Sequence, residues 1–165
     1  MFYSMENAVN SSDLIIVGKV KEVTKNQTIV VGQSTGLSHN YTISEVEILE
    51  VIYGEAKIGD TILVKQMEND EATKAAGYLE VNQLSILLLV TFDATPASLI
   101  NPSQGKMVFE DNLLTIQPVD DLYKILNNQD ENQEQTSSNI KDTSPITYDY
   151  EMVIEIIEDV TMNLN

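Results

Sequence analysis

Apolar and polar positions change period several times along this chain, and each change predicts a structural boundary. Phe2, Met5 and Val9 fall at i, i+3 and i+7 before Ser11-Ser12-Asp13 breaks the pattern, which predicts a short amphipathic helix at the amino end. The β-branched run "DLIIVGKVKEVT" follows. Ile16, Gly18, Val20 and Glu22 share one parity, and Ile15, Val17, Lys19 and Lys21 the other. Its first half suits burial on both faces, while Lys19 and Lys21 turn one face to water. Gly18 lies mid-strand, where a missing side chain marks a bend or a close backbone approach. "TIVVGQSTGLSHN" predicts a separate extended piece and then a loop punctuated by Gly32 and Gly36.

The next stretch, "YTISEVEILEVIYG", does not keep one alternation. Tyr41 and Ile43 share a parity, Val46 and Ile48 take the other, and Val51 and Tyr53 return to the first. A one-residue slip turns every later side chain over unless a β-bulge absorbs the extra residue. Slips are expected near Ser44-Glu45 and Leu49-Glu50. Strands that coil around a narrow closed core use such irregularities, and flat sheets do not. A helix over Tyr41–Glu50 is the rival, because Ile43, Val46 and Leu49 also fit helical spacing; Thr, Val, Ile and Tyr enrichment favours the strand.

Gly54 ends that strand, Gly59-Asp60 forms a tight turn, and "TILVKQ" opens the next. "MENDEATKAAGYLEVNQ" reads as an acidic loop with at most a helical turn at Glu71–Ala76. "QLSILLLVTF" is the most apolar segment and should run through the core. "DATPASLINPSQGK" reads as a long loop, and "MVFED" and "LLTIQP" as a final hairpin around Asp111-Asn112. Residues 127–144 are polar and nearly without apolar anchors, which predicts a mobile linker. Beyond it, Tyr150, Val153, Ile154, Ile157, Val160 and Leu164 mark one helical face, with Glu151, Glu155, Glu158 and Asp159 opposite. Thr147 is the expected N-cap. The organisation expected is a β-barrel domain with its short helix over 1–126, the linker over 127–144, and an amphipathic helix over 145–165 packed on the barrel.

Composition narrows the function. The chain has 165 residues, one domain's worth, and its 42% hydrophobic content suits a folded core. Against 26 acidic residues stand nine basic ones, all lysine, for a net charge of −17. No basic cluster is available to release phosphate counterions, so nucleic acid is excluded as a partner, and anionic lipid should repel the chain. Without cysteine there is no disulfide framework, thiolate zinc site or cysteine nucleophile. The apolar runs are too short to span a bilayer, so no membrane insertion is expected. "MFYSMENAVNSSD" has no basic region followed by an apolar one, so no export signal is read in this chain.

Candidate chemistry is sparse. His39 is the only histidine, and the nearby Ser34 and Ser38 share its loop without a G-x-S-x-G elbow. "ENDEA" (68–72) and "FEDN" (109–112) offer oxygen ligands to calcium, but neither fits the EF-hand spacing, and solvated turns are the plainer reading. No nucleotide-phosphate loop occurs. No cofactor is expected. "INPSQGK" is the distinctive loop: Asn101, Ser103 and Gln104 are uncharged hydrogen-bonders beside Gly105, and they are the candidate contacts for a polar ligand or a protein. The alternative for this loop is structural, with its amides satisfying buried backbone groups. Asn10, Asn26 and Asn40 begin Asn-x-Ser/Thr triplets, which matter only in a eukaryotic secretory setting.

The succession "SSDLIIVGKV", "YTISEVEILEVIYG", "KIGDTILVKQ", "QLSILLLV" and "LINPSQGKMVF", spanning Asp13 to Phe109, resembles a group of small bacterial extracytoplasmic β-barrel proteins. More distantly it is similar to the OB-like barrel of netrin-type domains and tissue inhibitors of metalloproteinases. The resemblance implies an OB-like Greek-key barrel, mainly β, with amino- and carboxy-terminal helices, and a place in the cell envelope. The cysteine-bearing terminus with which tissue inhibitors chelate zinc is missing, so that inhibition is not implied. Tyr53 also stands where the bacterial pattern has Lys before the Gly. The function expected is a non-catalytic extracytoplasmic binding module for a protein or envelope component. An inhibitory or accessory domain contacting an enzyme, and a calcium-stabilised surface domain, are the alternatives.

Overall fold

The computed structural model describes residues 5–31, 37–111, 113–116 and 146–162. The expected linker at 127–144 lies outside the described residues, as do Phe2, Gly32, Gly36 and Leu164. The molecule is mainly β. Strands β1 (Leu14–Val31), β2 (Leu37–Tyr53), β3 (Thr61–Met67), β4 (Leu84–Val90) and β5 (Ala97–Leu99) form a closed ring. Around it β1 pairs with β2 and β2 with β3; β3 runs parallel to β5, β5 pairs with β4, and β4 returns to β1. Since β1 occupies one edge of β4, the other edge is shared between β5 at Leu89–Val90 and β6 (Lys106–Glu110) at Leu84–Leu87. The sheet then continues through β7 (Leu113–Ile116) to β8 (Ile146–Asp149). Three helices complete the described chain: α1 (Met5–Asn10), α2 (Glu71–Ala76) and α3 (Tyr150–Met162).

Two apolar clusters divide the strand faces by parity. Leu14, Ile16, Val20, Val46, Ile48, Val64, Leu87 and Leu89 fill the ring's interior, with Leu79 and Ala97. Ile15, Val17, Ile86 and Leu88 point outward, joined by Met107 and Phe109 of β6. Ala8 and Val9 of α1, and Val153, Ile154 and Ile157 of α3, cover that outer face. Full burial of an aliphatic side chain contributes about 1.5–3 kcal/mol, so α3 is firmly seated. Tyr150 adds a T-shaped contact with the Phe109 ring at 5.1 Å, and its hydroxyl donates to Glu50 Oε2 at 2.8 Å.

The β1–β2 pairing slips register four times. Leu49 and Ile52 are extra residues on β2; Lys21 is extra on β1, and Lys25-Asn26 together face Thr42. Bulges of this kind bend and twist the pair so that it can wrap a narrow core. The slip expected at Leu49-Glu50 is therefore present. Near Ser44-Glu45 the β1–β2 register also shifts, but the extra residue is Lys21 on β1, and β2 itself keeps an unbroken register with β3 from Tyr41 to Glu47. Thr42, Ser44, Val46 and Ile48 all turn inward, and the two small hydroxyl residues are fully buried. Polarity therefore hides the interior face there, while Tyr41 and Ile43 belong to the outer one. At Gly18 an added Cβ would collide with Val46 Cγ1, so the mid-strand glycine is a close approach between β1 and β2.

Four further expectations need correction. The two extended pieces before residue 32 are one strand, continuous through a bulge at which Asn26 takes φ 57°; Asn tolerates that conformation. β5 lies within a segment expected to be loop, and its three residues close the ring. Nor is the β6–β7 hairpin final, since β8 pairs with β7. β8 contains Thr147, so the N-cap falls later: the Asp149 carboxylate accepts the Glu151 main-chain NH at 2.9 Å.

Candidate functional site

Helices α1 and α3 cover the outer face of β1, β4 and β6 and reach β2 at Glu50 and Ile52; they leave β3 and the Tyr41–Glu45 part of β2 to other neighbours. Alternation sends the odd-numbered residues of both strands to that second face. Tyr41 lies opposite Met67, Ile43 opposite Lys65, and Glu45 opposite Leu63. Parallel β5 sets Ser98 beside Lys65. The connection from β4 to β5 brings in Phe92 and Thr95. Leu63, Met67 and Phe92 are 43%, 37% and 49% exposed, a concentration of apolar surface beside a cation.

Lys65 is the centre of this face. Its ammonium lies 4.2 Å from the Phe92 ring centroid and 5.9 Å from that of Tyr41, and it donates to Thr95 Oγ1 at 2.8 Å. The attraction of a ring's negative face for a cation holds it there. Partial burial disfavours the charged form and lowers its pKa from the ordinary lysine value.

A pocket of about 240 Å³ opens beside Lys65, lined by Tyr41, Lys65, Gln66, Met67, Asp70, Thr73, Ser98, Leu99 and Pro102. Two polar walls are fixed from behind. The Gln66 side chain accepts from the Leu79 NH at 2.7 Å and donates to the Gly77 carbonyl at 3.3 Å. Asp70 caps α2, accepting from the Thr73 NH at 2.7 Å and the Thr73 hydroxyl at 2.8 Å. Those bonds hold its carboxyl below the usual aspartate value.

The loop singled out in the sequence borders this pocket through Pro102 alone. Asn101, Ser103, Gln104 and Gly105 do not line it. Asn101 Oδ1 accepts from the Ser103 NH at 2.9 Å, and the Asn101 carbonyl accepts from the Gly105 NH at 2.7 Å. The Gly105 carbonyl in turn accepts from the buried Leu88 NH at 2.9 Å. An added Cβ at Gly105 would lie 2.7 Å from the Asn101 oxygen and 2.8 Å from Leu99 Cβ, so the turn accepts only glycine without movement. These contacts give the loop a structural task, the carriage of the chain from β5 to β6.

The remaining candidates are dispersed. His39 is exposed on the ribbon that β1 and β2 form beyond the ring, opposite Ile29, and alternation turns neighbouring Ser38 to the other face. Ser34 lies outside the described residues. Glu68 and Asp70 are both taken up by hydrogen bonds to different elements. Among the described residues no three His, Cys, Asp or Glu side chains gather as metal ligands, and no helix is long and apolar enough to cross a membrane. Lys65 was missing from the sequence candidates, although alternation in "TILVKQM" sets it opposite the buried Val64. Phe92 and Thr95 reach it through tertiary folding, which local pattern does not report.

No protein-family model matches this chain, and no curated protein matches it at a significant level.

Proposed function

We propose that this chain is a non-catalytic binding module, built on an OB-like Greek-key barrel and working outside the cytoplasm, that contacts a protein or envelope component through the outer face of β2 and β3. The observation that carries the reading is the Tyr41–Leu63–Lys65–Met67–Phe92 surface, which combines exposed apolar area with a pocket. Apolar surface gathered in one place on a small domain marks an interaction site. The barrel assignment is supported by the ring order β1-β2-β3-β5-β4, its parallel β3–β5 contact and the helix between β3 and β4. OB-like barrels use the face of their second and third strands, with adjoining loops, for ligands. The extracytoplasmic setting rests on the resemblance to bacterial envelope barrels.

The test is capture of a partner from envelope extracts by the full chain. Leu63→Asp and Phe92→Asp should abolish capture. Met152→Asp, an exposed position on α3, should leave it intact. Capture that survives both face substitutions, or turnover in a hydrolase panel, overturns the reading.

A further inference from the structure

We propose that the pocket beside Lys65 receives a carboxylate carried on a small apolar group. The inference rests on the outer-face reading and names the chemistry that the face selects.

Charge sets the first requirement. The ion pairs among the described residues are Lys21–Glu47 and Lys74–Glu71, so no carboxylate of the described chain neutralises Lys65. An ammonium has three donors. Thr95 takes one, and the Phe92 and Tyr41 rings have no conventional acceptor to offer the others. The chain's net charge of −17 repels anions at long range, so the attraction is local: a half-buried ammonium with no ion-pair partner among the described residues is complementary to a carboxylate that reaches it. Asp70 shares the lining as an ionised carboxylate, fixed at the start of α2 by the Thr73 amide and hydroxyl on Oδ2, so the incoming anion must sit on the Lys65 side of the pocket.

Shape sets the second. The Tyr41 ring, Met67, Leu99 and Pro102 are apolar walls, which favours a hydrocarbon group attached to the anion over a bare inorganic ion. The 240 Å³ volume falls below the roughly 300–1,000 Å³ of sites that enclose whole drug-sized ligands. It suits a group the size of one side chain. Either a small free acid or the carboxyl end of a polypeptide presents this chemistry.

The experiment is amide chemical-shift titration of the full chain with three probes: N-acetyl-leucine, N-acetyl-leucinamide and 4-methylpentanoate. N-acetyl-leucine should shift Lys65, Met67, Ser98 and Leu99, and the uncharged amide should bind at least tenfold more weakly. Lys65→Met should reduce the acid to the level of the amide with no change in melting temperature, and Lys65→Arg should restore the preference. Equal binding of 4-methylpentanoate assigns the site to free acids; its failure beside a binding N-acetyl-leucine assigns it to chain ends. Equal affinity for acid and amide, or shifts elsewhere, or none, overturns the proposal. If partner capture still depends on Leu63 and Phe92 in that event, only the ligand class is lost.

Discussion

The Glu68 carboxylate reaches across β2 to the Asn26 main-chain NH, 2.7 Å away, and takes the Thr42 hydroxyl at 3.0 Å on the way. One side chain at the end of β3 thus ties together the bulge of β1 and the buried face of β2. Beyond this tie β1 and β2 pair only with each other, as an exposed ribbon. Glu68→Ala should therefore speed amide exchange across Gln27–Val31. Its global cost should be about 1–3 kcal/mol, because water can replace the bond to the exposed Asn26 amide while the buried Thr42 hydroxyl loses its partner. Unchanged exchange in the ribbon would show that the tie does not fix its base.

Tyr150 anchors α3 through its bond to Glu50 and its contact with Phe109. Burial first, and then the Glu50 carboxylate, raise its pKa well above the ordinary tyrosine value. A raised folded value means that the stabilisation is complete below the unfolded pKa, near 10, and is lost as pH climbs through the folded one. Tyr150→Phe keeps the ring contact and should cost about 1–2 kcal/mol at neutral pH for the lost hydrogen bond to a charged group. The gap between wild type and variant in urea melts should narrow above pH 10. A gap that widens there would contradict the assignment.

Gly105→Ala should destabilise the protein by about 1–3 kcal/mol, the usual cost of forcing atoms into filled space. The Asn101 carbonyl and Leu99 leave the new methyl no room. A neutral outcome in denaturant melts would mean that the loop relaxes freely, and the turn would lose its structural role.

The hydroxyls of Ser44 and Ser85 are buried inside the ring with no hydrogen-bond partner among the described residues. An unpaired buried polar group costs about 1–3 kcal/mol, so Ser85→Ala should be neutral or raise the melting temperature. A clear fall would reveal a partner for Ser85.

How much of this was legible in sequence follows from the reach of local pattern. β3 and β4 show plainly, because strong alternation or a continuous apolar run needs no knowledge of neighbours. The bulge at Leu49 is legible too, since a phase change inside one strand is local. β5 is not: three residues after Pro96 carry too little pattern, and their place is set by β3 and β4 on either side. Thr42 and Ser44 mislead because they are polar residues inside the barrel, where small size matters more than polarity. The candidate site was missed for a related reason. Its lysine shows in "TILVKQM", but the Phe92 ring and Thr95 hydroxyl that make it distinctive lie about thirty positions away.

Photo-crosslinking decides which surface meets the partner. With a benzophenone side chain placed singly at Leu63, Phe92 or Met152 of the full chain, crosslinks to an envelope component should form from the first two positions and not from the third. Crosslinks from Met152 alone, or from none of the three, would contradict binding through the outer face of β2 and β3.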